Sequence, residues 1–78
     1  MKNLSLYFFP ECPFCQKVLK FIDENDIKNI EFLDIKKDEK NKEALIEKGG
    51  KNQVPALLHD GEILYESDDI IDYLKKNK

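Results

Sequence analysis

The sequence has 78 residues, 41% hydrophobic and 37% charged, with 13 Lys+Arg against 16 Asp+Glu and a formal charge of -3. That length suits a single domain over residues 1–78, and the composition is globular rather than disordered or fibrous. Net acidity argues against a general nucleic-acid backbone binder, which needs concentrated positive charge, and no apolar run approaches the ~20 residues that span a bilayer.

The segment Asn3-Leu4-Ser5-Leu6-Tyr7-Phe8-Phe9 is short, apolar and rich in aromatics. Leu4, Leu6 and Phe8 alternate with Ser5, Tyr7 and Phe9, and both sets are mostly apolar, as in a strand covered on both faces. The stretch from Pro10 to Pro13 ends it. Pro13 suits a first helical position, where its missing N–H costs nothing. Cys15, Val18, Leu19 and Ile22 then recur at helical spacing, with Phe21 beside them, to about Asp26. Ile30, Phe32 and Ile35 mark a second strand, with Leu33 on its other face.

A second helix is expected from about Asp38. Glu39 with Lys42 and Lys40 with Glu43 are three residues apart and can meet on a solvated surface. Ala44, Leu45 and Ile46 supply a modest packing stripe, and Gly49-Gly50 terminates the helix. Two apolar runs, residues 54–59 and 62–65, flank Asp60-Gly61, the strongest short-range hairpin signal. Ser67 with Ile70, Ile71 and Leu74 reads as a capped amphipathic helix. Asp68 and Asp69 suit its positive start, and Lys75, Lys76 and Lys78 its other end. The order is β-α-β-α-β-β-α. The first β-α-β unit implies parallel strands joined by a right-handed crossover, and the hairpin adds an antiparallel pair. The result is a small mixed α/β sheet with helices packed on it.

The only two cysteines lie in Cys12-Pro13-Phe14-Cys15, too close together to staple a fold. A Cys-x-x-Cys that follows a strand and opens a helix in a β-α-β unit reads as a redox dithiol. Cys12, at the helix start, faces unpaired N–H groups and the positive dipole end, which stabilise a thiolate. Cys15, one turn further on and partly on the buried stripe, is placed to attack a mixed disulfide held on Cys12. Pro13 sets the turn, Phe14 offers apolar contact to a substrate, Lys17 adds positive potential and Glu11 opposes it. Three other uses of the pair remain. Half of a zinc site would need His59, the only histidine, plus a carboxylate. An iron–sulfur cluster would have to be shared between two chains. Burial as two small hydrophobes is opposed by the helix-start position and by the flanking Glu11 and Pro13.

Three features in order, namely Cys12-Pro13-Phe14-Cys15, Val54-Pro55 before the hairpin and Ser67-Asp68-Asp69 opening the last helix, resemble a glutaredoxin over essentially the whole chain. The layout is also similar to the N-terminal domain of glutathione transferases, where a Glu-Ser pair resembles Glu66-Ser67; the helical second half of a transferase is not expected here. The resemblance implies a thioredoxin-like fold, with a four-stranded mixed sheet flanked by three helices. It implies Cys12 as nucleophile, Cys15 as resolving cysteine, and a cis Pro55 facing them. Val54 would hold the cysteinyl part of glutathione through its backbone, and Ser67 and Asp68 the γ-glutamyl end. The chain departs from many glutaredoxins in having Phe14 for Tyr, no cation in Phe8-Phe9-Pro10, and Asn52 and Gln53 for Arg and Thr. The glycine carboxylate of glutathione would then fall to Lys51, Asn52 or Gln53, of which Lys51 is the only charge. Each of these residues has a plainer role too: Lys51 as a surface lysine, Ser67 as a helix cap, Asp68 and Asp69 as helix-start charges, His59 as a turn residue, Tyr7 and Tyr65 as sheet residues.

The expected activity is that of a glutathione-dependent thiol–disulfide oxidoreductase acting on glutathione mixed disulfides and protein disulfides, with no metal or organic cofactor bound and glutathione as co-substrate. Its expected partners are glutathione and glutathionylated or disulfide-containing proteins, with no nucleic acid and no membrane. It is expected to work as a monomer in the reducing cytosol, since no cationic start followed by an apolar signal segment is visible. The alternatives are a thioredoxin-like reductase served by another reductant, an iron–sulfur module in which two chains each give Cys12 and two glutathiones complete the cluster, and a protein-binding module without catalysis.

Overall fold

In the computed structural model, which describes residues 4–77, the chain runs β1 (Leu4–Phe8), α1 (Pro13–Glu24), β2 (Ile30–Asp34), α2 (Glu39–Gly49), β3 (Ala56–His59), β4 (Glu62–Tyr65) and α3 (Ser67–Asn77). The four strands form one sheet in the order β2-β1-β3-β4. β1 is parallel to β2 and antiparallel to β3, and β3 is antiparallel to β4. The order and the mixed sheet are those expected.

Strand alternation divides the core between the two faces of this sheet. Leu4, Leu6 and Leu57 point toward α1 and α3, where they meet Val18, Ile22, Ile70 and Leu74. Tyr7 and Ala56 point the other way, toward Leu45 of α2 and Ile35. Both faces of β1 are therefore covered, as its doubly apolar pattern predicts. Burying a leucine or isoleucine such as Leu57 or Ile70 fully is worth about 1.5–3 kcal/mol.

Local boundaries follow local hydrogen bonding. α1 stops at Glu24, short of the expected Asp26: the Asn25 N–H donates to the Phe21 carbonyl at 3.0 Å, the Asp26 N–H donates to the Asp23 carbonyl at 3.3 Å, and Asp26 turns into left-handed backbone at φ 53°. β2 stops at Asp34, one residue before Ile35. The Asp34 carboxylate accepts from the Lys36 and Lys37 N–H groups at 2.8 and 3.0 Å, turning the chain out of the sheet while Ile35 stays buried. The Asp38 side chain caps α2 by accepting from the Lys40 N–H, and Gly50, with φ 79°, ends that helix. Asp60 and Gly61 both have positive φ, as a two-residue hairpin turn demands.

One expected cap is displaced. Ser67 is the first helical residue of α3, and the preceding Glu66 caps the helix: its carbonyl accepts from the Ile70 N–H at 3.0 Å. The chain leaving β4 makes its sharp turn at Glu66, with φ 71°, so the helix begins one position earlier than the serine pattern indicates. Among the described residues no helix is long and apolar enough to cross a membrane.

Candidate functional site

Cys12 occupies the N-cap of α1, with φ -78° and ψ 119°, and Pro13 follows in the first turn. The Cys12 N–H donates to the Phe9 carbonyl at 3.2 Å, and the Cys12 carbonyl accepts from Gln16 at 3.0 Å. The chain is thus folded back between β1 and α1, and the Phe14 and Cys15 N–H groups lie at the positive end of α1, outside the helical ladder. No acidic side chain stands in the first turn of the helix. Glu11, the nearby opposing charge, pairs at 3.9 Å with Lys36.

The two cysteines are free thiols in unequal settings. Cys12 is 9% exposed and Cys15 is fully buried. Burial pushes the Cys15 thiol up to about 12; a backbone hydrogen bond at Phe9 works the other way, while a hydrogen bond to Cys12 and the Cys12 charge push it further up. Cys15 is therefore a neutral thiol that hydrogen-bonds its neighbour. Of the two, Cys12 is the more exposed thiol and the one at the N-cap of α1.

The helix that begins at Cys12 carries Phe14 and Lys17 into a cleft of about 360 Å³, closed on its other sides by Gln53, Val54, Pro55, Glu66, Ser67 and Asp68. The Val54–Pro55 peptide is cis. Val54 lies outside both β3 and α2, and among the described residues no loop hydrogen bond uses its backbone N–H or C=O. The Lys17 ammonium bonds the Asp68 carboxylate, joining α1 to the start of α3. Gln53 donates its side-chain amide to the Glu66 carboxylate at 3.2 Å.

Seven residues singled out in the sequence, Phe14, Lys17, Gln53, Val54, Pro55, Ser67 and Asp68, line this one cleft. Lys51 is placed elsewhere: its ammonium lies 5.5 Å from the Tyr65 ring centroid and its carbonyl accepts from the Tyr65 hydroxyl at 3.2 Å. His59, at the end of β3, stacks on Tyr73 with ring centroids 4.4 Å apart.

Sequence reasoning missed two features. Glu66 lines the cleft beside Ser67; the signal was its place in the Glu66-Ser67 pair. A second groove of about 600 Å³ meets the first at Val54 and is lined by Phe9, Ile35, Lys36, Glu39, Lys42 and Asn52. In it the Lys36 ammonium lies 4.3 Å from the Phe9 ring centroid, so a cation from the β2–α2 turn covers a segment that has none of its own. No local pattern announces a contact made only by folding. Among the described residues no group of three or more His, Cys, Asp or Glu side chains is arranged to hold a metal ion.

A family model described as glutathione S-transferase, N-terminal domain, matches residues 6–78. The chain belongs to this family. It is a thioredoxin-fold protein, related to the N-terminal domains of glutathione transferases and similar to a thioredoxin-like protein. The crystal structure of the thioredoxin-like protein BC3987 is 27% identical with a TM-score of 0.79, over 95% of this chain and 97% of that one. Glutathione S-transferase isozyme E7 from Drosophila melanogaster is 26% identical with a TM-score of 0.78, over 96% of this chain but 34% of the transferase. This member of the transferase N-terminal domain family thus spans about a third of that enzyme's length. The glutaredoxin from Archaeoglobus fulgidus, 20% identical over 96% of this chain and 88% of that one with a TM-score of 0.73, shares the fold. No curated protein sequence matches the chain significantly.

Proposed function

We propose that the chain is a glutathione-dependent thiol–disulfide oxidoreductase that reduces glutathione mixed disulfides and protein disulfides through Cys12 and Cys15. The observation that carries this is the inequality of the two thiols: Cys12 caps α1 and keeps 9% exposure, while Cys15 is fully buried and is held protonated. Membership of the transferase N-terminal domain family and the likeness to a thioredoxin-like protein support a redox, glutathione-related role.

The Cys12 thiolate attacks the glutathione sulfur of a mixed disulfide, and the former partner leaves as a thiolate that takes up a proton. Cys12 is then joined to glutathione. A second glutathione thiolate attacks the glutathione sulfur, restoring Cys12 and releasing glutathione disulfide. In the other route the Cys15 thiol loses its proton and attacks the Cys12 sulfur, expelling glutathione and closing the Cys12–Cys15 disulfide. Each step exchanges one S–S bond for another, and no metal or organic redox group takes part.

In this mechanism the glutathione backbone pairs with Val54 beside Pro55, in an extended pose. Its γ-glutamyl carboxylate meets the N–H groups at the start of α3 around Ser67, and its ammonium meets Asp68. Phe14 covers the sulfur, and Gln53 takes the glycine end, since Lys51 is turned away to Tyr65. The partners are glutathione and proteins bearing glutathione or disulfides, and the protein acts as a monomer in the reducing cytosol.

A second reading is a thioredoxin-like protein disulfide reductase served by a different reductant, favoured by the 27% identity to a thioredoxin-like protein over 95% of the chain. Steady-state reduction of a glutathione mixed disulfide separates the two. The proposal expects a rate that saturates with added glutathione. A rate indifferent to glutathione but supported by a protein reductase overturns it in favour of the second reading.

A further inference from the structure

Residues 50–55 connect α2 to β3 and carry Val54 and Pro55 into the cleft, so whatever fixes this loop fixes one cleft wall. Tyr65, the last residue of β4, grips it from three directions. Its backbone pairs with Ala56, the residue after Pro55. Its hydroxyl donates to the Lys51 carbonyl at 3.2 Å. Its ring packs in the cluster of Tyr7, Leu45 and Ala56, with Val54 against the same cluster.

The Gly49-Gly50 pair gains a second meaning from this contact. Gly50 has φ 79° and open space around it, so it serves the turn. Gly49 is still helical, and its requirement is for room: a Cβ there would lie 2.0 Å from the Tyr65 hydroxyl oxygen, 2.9 Å from Cζ and 3.3 Å from the Ile63 Cβ. The end of α2 approaches β4 closely only because Gly49 has no side chain. The residue after Tyr65 adds another tie, since the Glu66 carboxylate accepts from Gln53 at 3.2 Å. Two consecutive residues at the β4–α3 junction thus hold two residues of the loop, and the same junction leads directly into Ser67 and Asp68 on the facing wall.

We propose that Tyr65 is a positioning residue for the cleft: wedged against Gly49 and bonded to the Lys51 carbonyl, it clamps the α2–β3 loop and sets where Val54 presents its backbone to substrate. This rests on the reading that Val54 binds the disulfide substrate. Tyr65 itself touches no reacting atom. The clamp joins the Val54 wall to the α3 wall, so that both move as one unit.

The test is Tyr65→Phe, which keeps the ring and removes the hydroxyl. Amide hydrogen exchange at Lys51, Asn52, Gln53 and Val54 is expected to quicken about three- to tenfold, the scale of one lost hydrogen bond, with α1 amides unchanged. KM for a glutathione mixed disulfide is expected to rise by a similar factor, with kcat and the rate of Cys12 alkylation unchanged. Gly49→Ala should reproduce these changes alone but add nothing in a Tyr65→Leu background. Unchanged loop exchange, or a fall in kcat and Cys12 alkylation matching the rise in KM, overturns the proposal. If the unaltered protein turns over no glutathione mixed disulfide, the functional reading falls, and loop exchange alone then decides the clamp: quickened exchange supports it and unchanged exchange overturns it.

Discussion

The Lys17 ammonium meets the Asp68 carboxylate across the candidate cleft, joining the helix that starts at Cys12 to the start of α3. The two side chains are 52% and 82% exposed, and a pair so exposed contributes at most about 1 kcal/mol to stability. Its importance lies in the charge it leaves for a ligand. If Asp68 holds the ammonium of glutathione, Lys17 competes for the same carboxylate. Asp68→Asn is expected to raise KM for a glutathione mixed disulfide about three- to tenfold, the scale of one ordinary hydrogen bond. Lys17→Ala is expected to lower KM, and neither substitution should move the thermal midpoint by more than about 5 °C. An unchanged KM in Asp68→Asn removes Asp68 from the site.

Two apolar residues of the same domain should behave in opposite ways. Phe14 is 64% exposed and lines the cleft, so Phe14→Ala should leave stability within about 0.5 kcal/mol while raising KM. Leu57 is fully buried between the sheet and the α1–α3 layer. Leu57→Ala should cost about 2–5 kcal/mol and lower the thermal midpoint by about 10 °C or more. Calorimetry beside steady-state kinetics checks both. Equal destabilisation by the two substitutions would make Phe14 a packing residue.

Alkaline stability should report on the buried thiol. Burial raises Cys15 to about 12 in the native protein, while in the unfolded chain a thiol titrates near ~8.5. Above that lower value the unfolded chain has released a proton that the native protein retains. The contribution from Cys15 is therefore fully present below pH ~8.5 and is lost progressively as pH rises toward that of the native group. Tyr7, whose phenol is raised by burial and by Glu31, acts in the same sense at higher pH. Denaturant unfolding at several pH values from neutral upward should show stability falling, and a shallower fall in Cys15→Ser. Identical slopes in the two proteins would contradict this environment for Cys15.

The same protonation divides the two catalytic routes. Attack by Cys15 on the Cys12 sulfur needs the Cys15 thiolate, whereas the glutathione route does not. Protein-disulfide reduction that depends on Cys15 is expected to rise with pH well beyond neutrality, more steeply than reduction of a glutathione mixed disulfide under the same conditions. Parallel pH profiles would show that loss of the Cys15 proton does not limit the dithiol route.

The order of strands and helices was legible because it rests on local patterns: Pro13 opening α1, Asp60-Gly61 between two apolar runs, and apolar residues at helical spacing in α1 and α3. Most of the cleft was legible too, since Phe14, Val54, Pro55, Ser67 and Asp68 lie in short motifs at the ends of elements, where a thioredoxin-like sheet brings them together. Contacts between distant segments were not. Lys36 reaches Phe9 from the β2–α2 turn, Lys51 turns toward Tyr65, and Gly49 makes room for a tyrosine on β4. None of these leaves a periodic trace in sequence, because each depends on how α2 and its flanking loops settle on the sheet. The shift of the α3 cap from Ser67 to Glu66 is of the same kind: side-chain preference favours serine, but the turn leaving β4 decides.

The most direct measurement is turnover of a glutathione mixed disulfide by the unaltered protein, Cys12→Ser and Cys15→Ser, with glutathione as reductant and glutathione disulfide as the product followed. Cys12→Ser is expected to show no turnover above the uncatalysed exchange, and Cys15→Ser to keep a substantial rate, since the glutathione route needs only the thiol at the cap of α1. Full activity in Cys12→Ser would contradict the assignment of Cys12 as the attacking group.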